Sequence, residues 1–331
     1  MNNETRERLA LFAENTQALK GFKWQGSLTK RLTAFQYAKE NKRVDGDAVR
    51  RCHDLIKANT GKFSIFRGDM SLFMAALLSL SEEPEALLKN TLGVYDMLKG
   101  VKFRASDYLV VAAYQIAAGT DAASYSNAAE RARAFYDRMK ARNWFHTGQD
   151  DYIFAAMLGL SDLDAATGAE RIDQIYNSLK KEFRDKNSVQ ALAQILVLCD
   201  PSDGAADRVL ALRDELKAQK LRYDKSYTLS SLGVLALLSA DTGAVIGDLI
   251  ESRDFLRAQK GFSSWSVTTQ ELLLYAAGIV ITEYAGSAAD GVLAAALSTS
   301  INNIIIAQQT AMMIAVIASY SAAASSAASS S

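Results

Sequence analysis

The stretch EALLKNTLGVYDMLKGVKFRASDYLVVAAYQIAA, residues 85–118, contains two helix patterns of different character joined by a short loop. In its first half, apolar residues recur every three or four positions among polar and charged ones, which is typical of a half-exposed amphipathic helix. Its last part, YLVVAAYQIAA, contains no Lys, Arg, Asp or Glu. Because a helix without a polar face must be buried on every side, the stretch predicts a hairpin with one outer and one inner helix.

The first half of this stretch recurs along the chain. Its acidic position is filled, at intervals close to forty residues, by Asp54, Asp96, Asp137, Asn177, Asp214 and Asp254. In every copy an apolar residue follows two positions later and a Lys or Arg three positions later. Such a fixed period is typical of helical-hairpin arrays. We expect the acid and the base to form exposed pairs near the helix end, or else a charged stripe for a partner.

Uncharged segments follow the copies. They read MSLFMAALLSL, YLVVAAYQIAA, YIFAAMLGL, VQALAQILVLC and YTLSSLGVLALLSA. Their Ala, Ser and Gly residues let neighbouring backbones approach closely. We predict an all-α fold, an array of antiparallel helical hairpins with a period of about 40 residues, wound into a tight superhelix or closed into an α/α toroid. About eight hairpins would form a single domain over residues 1–320.

Composition and charge narrow the class of protein. Only two of 331 residues are Pro, which agrees with helix throughout. Lys and Arg total 37, as do Asp and Glu, so we expect no nucleic-acid partner, although a local basic patch is compatible with this balance. The start, MNNETRERLALF, carries charges where a signal peptide needs an apolar run, which predicts a cytoplasmic protein. Cys52 and Cys199 are expected to remain reduced thiols.

Four segments carry a family resemblance. They are LKGFKW (19–24), HDLIKANTGKFSIFRG (53–68), RDFLRAQKGFSSWS (253–266) and NNIIIAQQTAMMIAVIAS (302–319). Over nearly its whole length the chain resembles an uncharacterised bacterial family, domain-of-unknown-function family 4003. The resemblance implies a bacterial cytosolic protein and brings no activity. One repeat, FLRAQKGFSSWS, also resembles the Gln-Trp repeats of terpene-cyclase-like toroids, in which Gln259 and Trp265 would brace successive units.

Carboxylates at the starts of the inner helices are the candidate catalytic residues. They are Asp69, Asp107, Asp150, Asp151 and Glu271. In a closed toroid these starts would meet at one end, and paired carboxylates about 5–10 Å apart suit acid/base hydrolysis of a glycosidic bond. His146, in the loop NWFHTGQDD, is the candidate for proton transfer. The alternative is that the carboxylates only cap helices.

Aromatic residues lie in or beside the same loops. They are Trp24, Trp144, Phe145, Tyr223 and Trp265. These rings are candidates for stacking on a sugar ligand. In the alternative interpretation they fill gaps between repeat units.

Motifs for cofactor and metal chemistry are missing from the sequence. It contains no GxxxxGK[ST], HExxH or GxSxG pattern, and no GxGxxG opening a helix. The two cysteines, far apart in the chain, lack the spacing of a zinc site. We therefore expect no metal or cofactor and predict a non-catalytic scaffold or binding module for a protein or peptide partner. The alternative is a toroidal hydrolase acting on a carbohydrate-like substrate through the carboxylates above.

The C-terminal stretch carries no charge after Asp290. We predict a last helix over about 302–319 that caps the array or mediates self-association. A membrane anchor is disfavoured, because Asn302, Asn303 and the Ala/Ser tract leave fewer than the about 20 apolar residues that a span needs. Residues 321–331 are expected to form a flexible low-complexity tail.

Overall fold

A computed structural model describes residues 1–23, 25–199, 204–225 and 228–287 of the chain. Within these ranges the protein has fourteen α-helices and no strand. The helices are α1 (Asn3–Ala18), α2 (Ser27–Lys39), α3 (Gly46–Asn59), α4 (Ser71–Ser79), α5 (Pro84–Gly100), α6 (Asp107–Gly119), α7 (Tyr125–Arg142), α8 (Tyr152–Leu160), α9 (Ala165–Leu179), α10 (Lys186–Cys199), α11 (Ala205–Ala218), α12 (Leu229–Ala236), α13 (Thr242–Ala258) and α14 (Thr269–Ser287). The predicted all-α class is confirmed.

Consecutive helices pack in pairs, α1 with α2, α3 with α4, and so on to α13 with α14. The described residues therefore contain seven such pairs. Neighbouring pairs contact each other odd helix to odd helix and even helix to even helix. Thus α5 packs on α7 and α7 on α9, while α6, α8, α10, α12 and α14 each pack on the next. The first pair also contacts the last, since α1 packs against α13 and α14, and α2 packs against α14.

The recurrent apolar position lies in the core. Its occupants, each at most 2% exposed, are Ile56, Leu98, Met139, Leu179, Leu216 and Leu256. The recurrent charges remain near the surface and pair in more than one way. Lys57 and Lys99 contact the acids three residues before them at 3.6 Å, whereas Asp137 pairs with Arg133, four residues before it. The burial of the recurrent apolar residue is therefore the same in every copy, whereas the ion pairs of the recurrent charges differ between copies.

The uncharged segments are buried as their composition requires. In α6, residues 109–113 and 115–117 are all buried, and α4 and α8 are buried over nearly their whole length. Small residues allow the close approach of helices. A Cβ at Gly159 of α8 would lie 2.7 Å from both the Ala128 carbonyl oxygen and the Ala132 nitrogen of α7, so only glycine fits there.

Helix starts agree only partly with the sequence. Ser106 caps α6 by accepting a hydrogen bond from the Leu109 amide, as its position suggests. For α10 the capping side chain is Asp185, which accepts hydrogen bonds from the backbone amides of Asn187 and Ser188. Asp69 does not cap α4. The N-cap residue of that helix is Met70, and no side chain accepts a hydrogen bond from its first turn.

The predicted C-terminal helix over about 302–319 and the tail over 321–331 lie outside the described residues, as does Trp24. Among the helices that the structure describes, none is long and apolar enough to cross a membrane.

Candidate functional site

The loops that precede the even-numbered helices, here called the leading loops, are linked by side-chain contacts. The side-chain amide of Gln25 donates to the Ser71 hydroxyl at the start of α4 at 3.0 Å, and the backbone amide of Arg104 donates to the Tyr152 hydroxyl of α8 at 3.4 Å. In the same way His146 contacts Asn187 of α10 at 3.0 Å. Tyr223, before α12, donates to the Leu273 carbonyl oxygen near the start of α14, and Gln17, near the end of α1, donates to the Lys260 carbonyl oxygen before α14. Together these contacts place the leading loops beside one another at one end of the even-numbered helices.

Exposed aromatic rings are confined to these loops in the described part of the chain. Phe63 is 101% exposed, Trp144 63%, Phe145 76% and Trp265 98%. The rings of Trp144 and Phe145 stack with centroids 3.8 Å apart and present one apolar ridge. Large exposed rings concentrated at one end of a protein are typical of a binding surface.

The leading loops are also rich in exposed basic residues. Their exposed basic residues are Lys20, Lys23, Lys62, Lys102, Arg104, Lys181, Arg184, Lys220, Arg222, Lys225 and Lys260. Against these 11 cations stand two exposed acids, Asp69 and Glu182. A chain of zero net charge therefore has a strongly basic end.

Most of the loops on the other side of the even-numbered helices have the opposite sign. Those after α4, α6, α8 and α12 contain no Lys or Arg, whereas the loop after α2 carries two charges of each sign. The exposed acids of the four uniform loops are Glu82, Glu83, Asp121, Asp162, Asp164 and Asp241. The molecule is thus polarised along the even-numbered helices, and we call the end formed by the leading loops the basic aromatic end.

Asp151 is the most deeply buried of the candidate carboxylates. It lies just before α8 and accepts hydrogen bonds from the Gly148 amide at 2.8 Å, Gln194 at 2.6 Å and Gln190 at 3.2 Å. Burial, with the nearby charge of Asp150, raises the pKa of Asp151 to about 7. The side-chain carbonyl oxygens of both glutamines are buried and have no hydrogen-bond donor among the described residues.

Glu271, in the first turn of α14, has a different partner. Arg31 of α2 donates to both of its carboxylate oxygens, at 2.6 and 3.1 Å, and the two side chains are only 7% and 9% exposed. Burial raises the pKa of Glu271, while the guanidinium limits that rise by stabilising the charged form. This ion pair joins α2 to α14, the last of the described helices.

Asp69 and Asp107 approach each other at the leading loop before α4. Asp69 is exposed and lines an open cavity of about 500 Å³ together with Arg50, His53 and Lys57. Burial and the charge of Asp69 raise the pKa of Asp107, whose Oδ1 is buried and has no hydrogen-bond partner in the described part of the chain. Among the described cavities, none is lined by two of the candidate carboxylates.

His146 has its described contacts with residues other than the candidate acids. Its Nδ1 contacts the Asn187 side chain at 3.0 Å, and its ring lies 5.9 Å from that of Tyr176. Asp150, half-buried in the same loop, has its pKa raised by burial and by the charge of Asp185. The structure thus distributes the candidate acid/base groups over several environments.

The candidate stacking rings divide into two groups. Trp144, Phe145 and Trp265 are exposed and accessible to a partner. Tyr223 is 1% exposed and donates its hydroxyl proton to the Leu273 carbonyl oxygen, so it fills a gap between helices. The expectation that Trp265 braces a neighbouring unit together with Gln259 is wrong, because its ring is almost wholly in solvent and Gln259 donates to Phe255 within its own helix end.

Two buried cations were missed by sequence reasoning. Arg31 and Lys39 both belong to α2, and each is 6% exposed. The available signal was composition: α2 carries charged residues, whereas the uncharged segments of α4, α6, α8 and α12 carry none beyond Asp107. A charged even-numbered helix in such an array is where buried polar contacts are to be expected.

Fold and surface together define an all-helical protein built of paired helices, with one basic and aromatic end. The chain belongs to the family described as Protein of unknown function (DUF4003), whose family model matches residues 15–310. A comparison with curated proteins and a comparison with solved structures gave no match. Within the described residues no cluster of His, Cys, Asp or Glu has the composition of a metal site.

Proposed function

We propose that the paired helices form a closed α/α ring of helical-hairpin repeats, with the even-numbered helices inside. The contacts of α1 and α2 with α13 and α14 support closure, as does the Arg31–Glu271 ion pair between residues 240 positions apart. The burial of α4, α6 and α8 on all sides supports their inner position. We place this protein in the bacterial cytoplasm, in keeping with its two cysteines, Cys52 and Cys199, which form no disulfide.

We further propose that the protein is a non-catalytic binding module whose basic aromatic end binds an acidic segment of a protein partner. One observation carries this proposal: four exposed aromatic rings share an end with 11 exposed cations and only two exposed acids. Rings supply buried contact area at low entropic cost, and the cations attract and orient an acidic chain. The acidic loops at the opposite end repel an acidic segment, so the partner is expected to bind at the basic aromatic end only.

A hydrolase acting through the candidate carboxylates has less support. Glycosidic hydrolysis needs two carboxyl groups facing one substrate cavity. Here Glu271 is neutralised by Arg31, Asp151 is enclosed by glutamine side chains, and among the candidate acids Asp69 alone lines a described cavity. Asp69 and Asp107 lie near each other, but Asp107 lines none of the described cavities.

The experiment is a binding titration of the full chain with a short fluorescein-labelled peptide of alternating glutamate and leucine. We expect binding that weakens about tenfold between about 50 mM and 300 mM salt, because exposed charges are screened. Reversal of two leading-loop charges, Lys181→Glu with Arg184→Glu, should weaken binding about tenfold. The matched control, Lys89→Glu with Arg138→Glu, makes the same change of net charge on exposed positions of α5 and α7 and should change it less than about twofold.

Two further probes separate a protein partner from other anions. Vesicles containing an anionic lipid and a duplex DNA are titrated under the same conditions. Failure of the peptide to bind, or equal loss in both charge-reversed pairs, contradicts the proposal. Binding of the vesicles or the DNA without binding of the peptide also contradicts it.

A further inference from the structure

A second cavity lies at the opposite end of the even-numbered helices from the leading loops. Its volume is about 480 Å³, within the range of small-molecule sites. The walls come from the C-terminal turns of α2, α4 and α6 and from the first turns of α5. The gap exists because α4 and α6 pack less closely than the next even-numbered neighbours, α6 and α8.

Hydrogen-bond donors of α2 line this cavity. Gln36 and Lys39 are three positions apart and so share one face of the helix. Gln36 is 1% exposed, and its Nε2 has no hydrogen-bond acceptor among the described residues. Lys39 is 6% exposed, and its ion-pair partner in the same part of the chain is Glu40 at 3.4 Å, a side chain that is itself 46% exposed. A buried ammonium offers three donors, so these two buried side chains offer more donors than the described residues meet with acceptors.

Buried donors without acceptors lower the stability of the folded protein unless a ligand supplies the acceptors. Burial accordingly lowers the pKa of the Lys39 amine, and Glu40 only partly opposes that shift. Across the cavity, the Tyr114 hydroxyl provides a further donor, since burial raises its pKa to about 12 and keeps it protonated. A group with two acceptor oxygens and one negative charge satisfies these donors best.

The rest of the lining is of mixed polarity. Its apolar residues are Leu77, Leu80, Leu87, Ala86, Ala117 and Ala118, and its uncharged polar residues are Ser81 and Asn90. Two charged side chains, Lys42 and Glu83, also line the cavity and are exposed. We propose that this cavity is a binding site for a small aliphatic carboxylate, whose carboxylate group contacts Lys39 and Gln36 and whose hydrocarbon body packs on the leucines. This site is separate from the basic aromatic end and does not depend on its partner.

The test uses 4-methylpentanoate as probe and its uncharged amide, 4-methylpentanamide, as the matched ligand. Binding to the full chain is measured by saturation-transfer NMR and calorimetry. We expect saturable binding of the carboxylate with a Kd of about 1 mM, and at least about tenfold weaker binding of the amide. Lys39→Met should weaken carboxylate binding about tenfold or more. Lys42→Met, which removes an exposed cation from the same cavity, should change it less than about threefold.

A second variant covers the case in which Lys39→Met does not fold. Glu40→Gln removes the anion that competes for Lys39 and should tighten carboxylate binding about threefold, with the fold checked by circular dichroism. The proposal is overturned if 4-methylpentanoate does not saturate the wild-type protein or if the amide binds equally well. It is also overturned if the two lysine variants weaken binding equally, or if Glu40→Gln leaves the affinity unchanged.

Discussion

The leading loops before α8 and before α14 are built alike but neutralise their acids differently. Each presents an exposed tryptophan, Trp144 or Trp265, and each leads to a buried carboxylate, Asp151 or Glu271. Asp151 is surrounded by neutral amide donors, whereas Glu271 meets a guanidinium. The same kind of sequence position therefore leads to a carboxyl group that titrates near neutral pH in one loop and to a buried ion pair in the other.

The difference shows what burial demands of an acid at a helix start. A buried carboxylate must either lose its charge or be paired with a cation. The amides of Gln190 and Gln194 make hydrogen bonds to Asp151 without supplying a positive charge, so its pKa rises to about 7. Arg31 supplies that charge to Glu271 and at the same time joins α2 to α14.

The largest effect is expected from breaking the buried ion pair. Arg31→Met leaves the Glu271 carboxylate buried without a cation and should lower the free energy of unfolding by about 3–5 kcal/mol at pH 7. Urea denaturation followed by circular dichroism measures it. The double variant Arg31→Met with Glu271→Leu should recover most of the loss, because the unpaired charge is then gone.

The matched control is an exposed pair. Lys57→Met removes a cation that contacts Asp54 at 3.6 Å, with both side chains about half or more exposed. It should cost no more than about 1 kcal/mol. If Arg31→Met and Lys57→Met destabilise the protein equally, or if the double variant recovers nothing, the pairing of Glu271 with Arg31 does not stabilise the contact between α2 and α14.

The second effect concerns pH and Asp151. Its folded-state pKa of about 7 lies above the ordinary value of 3.8, so the folded protein holds this proton more tightly than the unfolded chain does. The resulting stabilisation is fully present below about pH 4 and is lost as the pH rises through about 7. Between pH 5 and pH 8 the wild type should therefore lose about 2–3 kcal/mol relative to Asp151→Asn, measured by urea denaturation at each pH.

An exposed carboxylate serves as the control for this slope. Asp164 caps α9, and hydrogen bonds from the Thr167 and Ala166 amides hold its pKa below the ordinary value. Asp164→Asn should leave the slope between pH 5 and pH 8 as in the wild type, since that group is already ionised there. Parallel stability profiles of the wild type and Asp151→Asn would show that Asp151 does not titrate in this range.

The sequence predicts local features better than it predicts these partners. The recurrence of an apolar residue two positions after each acid agrees with the burial of Ile56 and Leu98, and the absence of charge in YLVVAAYQIAA predicts that α6 is buried. The partners of Asp151 lie 39 and 43 residues away on α10, and that of Glu271 lies 240 residues away on α2. Contacts between residues so far apart depend on how the helical pairs pack, which periodicity does not determine.

A third, smaller effect concerns the pKa of Asp151, to which the two glutamines are expected to contribute unequally. Gln194 donates at 2.6 Å and Gln190 at 3.2 Å, and both bonds favour the charged carboxylate. Gln194→Leu should raise the pKa of Asp151 further, by about one unit, as expected for loss of one charge-assisted hydrogen bond. Gln190→Leu should raise it less. Carboxyl ¹³C NMR across the pH range measures both shifts, and a fall in the pKa of either variant would contradict the role given to these amides.

The smallest effect on stability is expected at the exposed surface of the α7–α8 loop. Trp144→Ser with Phe145→Ser removes two rings that are 63% and 76% exposed, so the free energy of unfolding should change by no more than about 0.5 kcal/mol. Phe103→Ala, in the preceding leading loop, removes a ring that is 5% exposed and packs on Tyr136 and Tyr152, and should cost about 3–5 kcal/mol. In the acidic-peptide titration the double variant should bind about tenfold more weakly although it is as stable as the wild type. Unchanged affinity, or a stability loss as large as that of Phe103→Ala, would show that the ridge formed by these two rings serves the fold and not a partner.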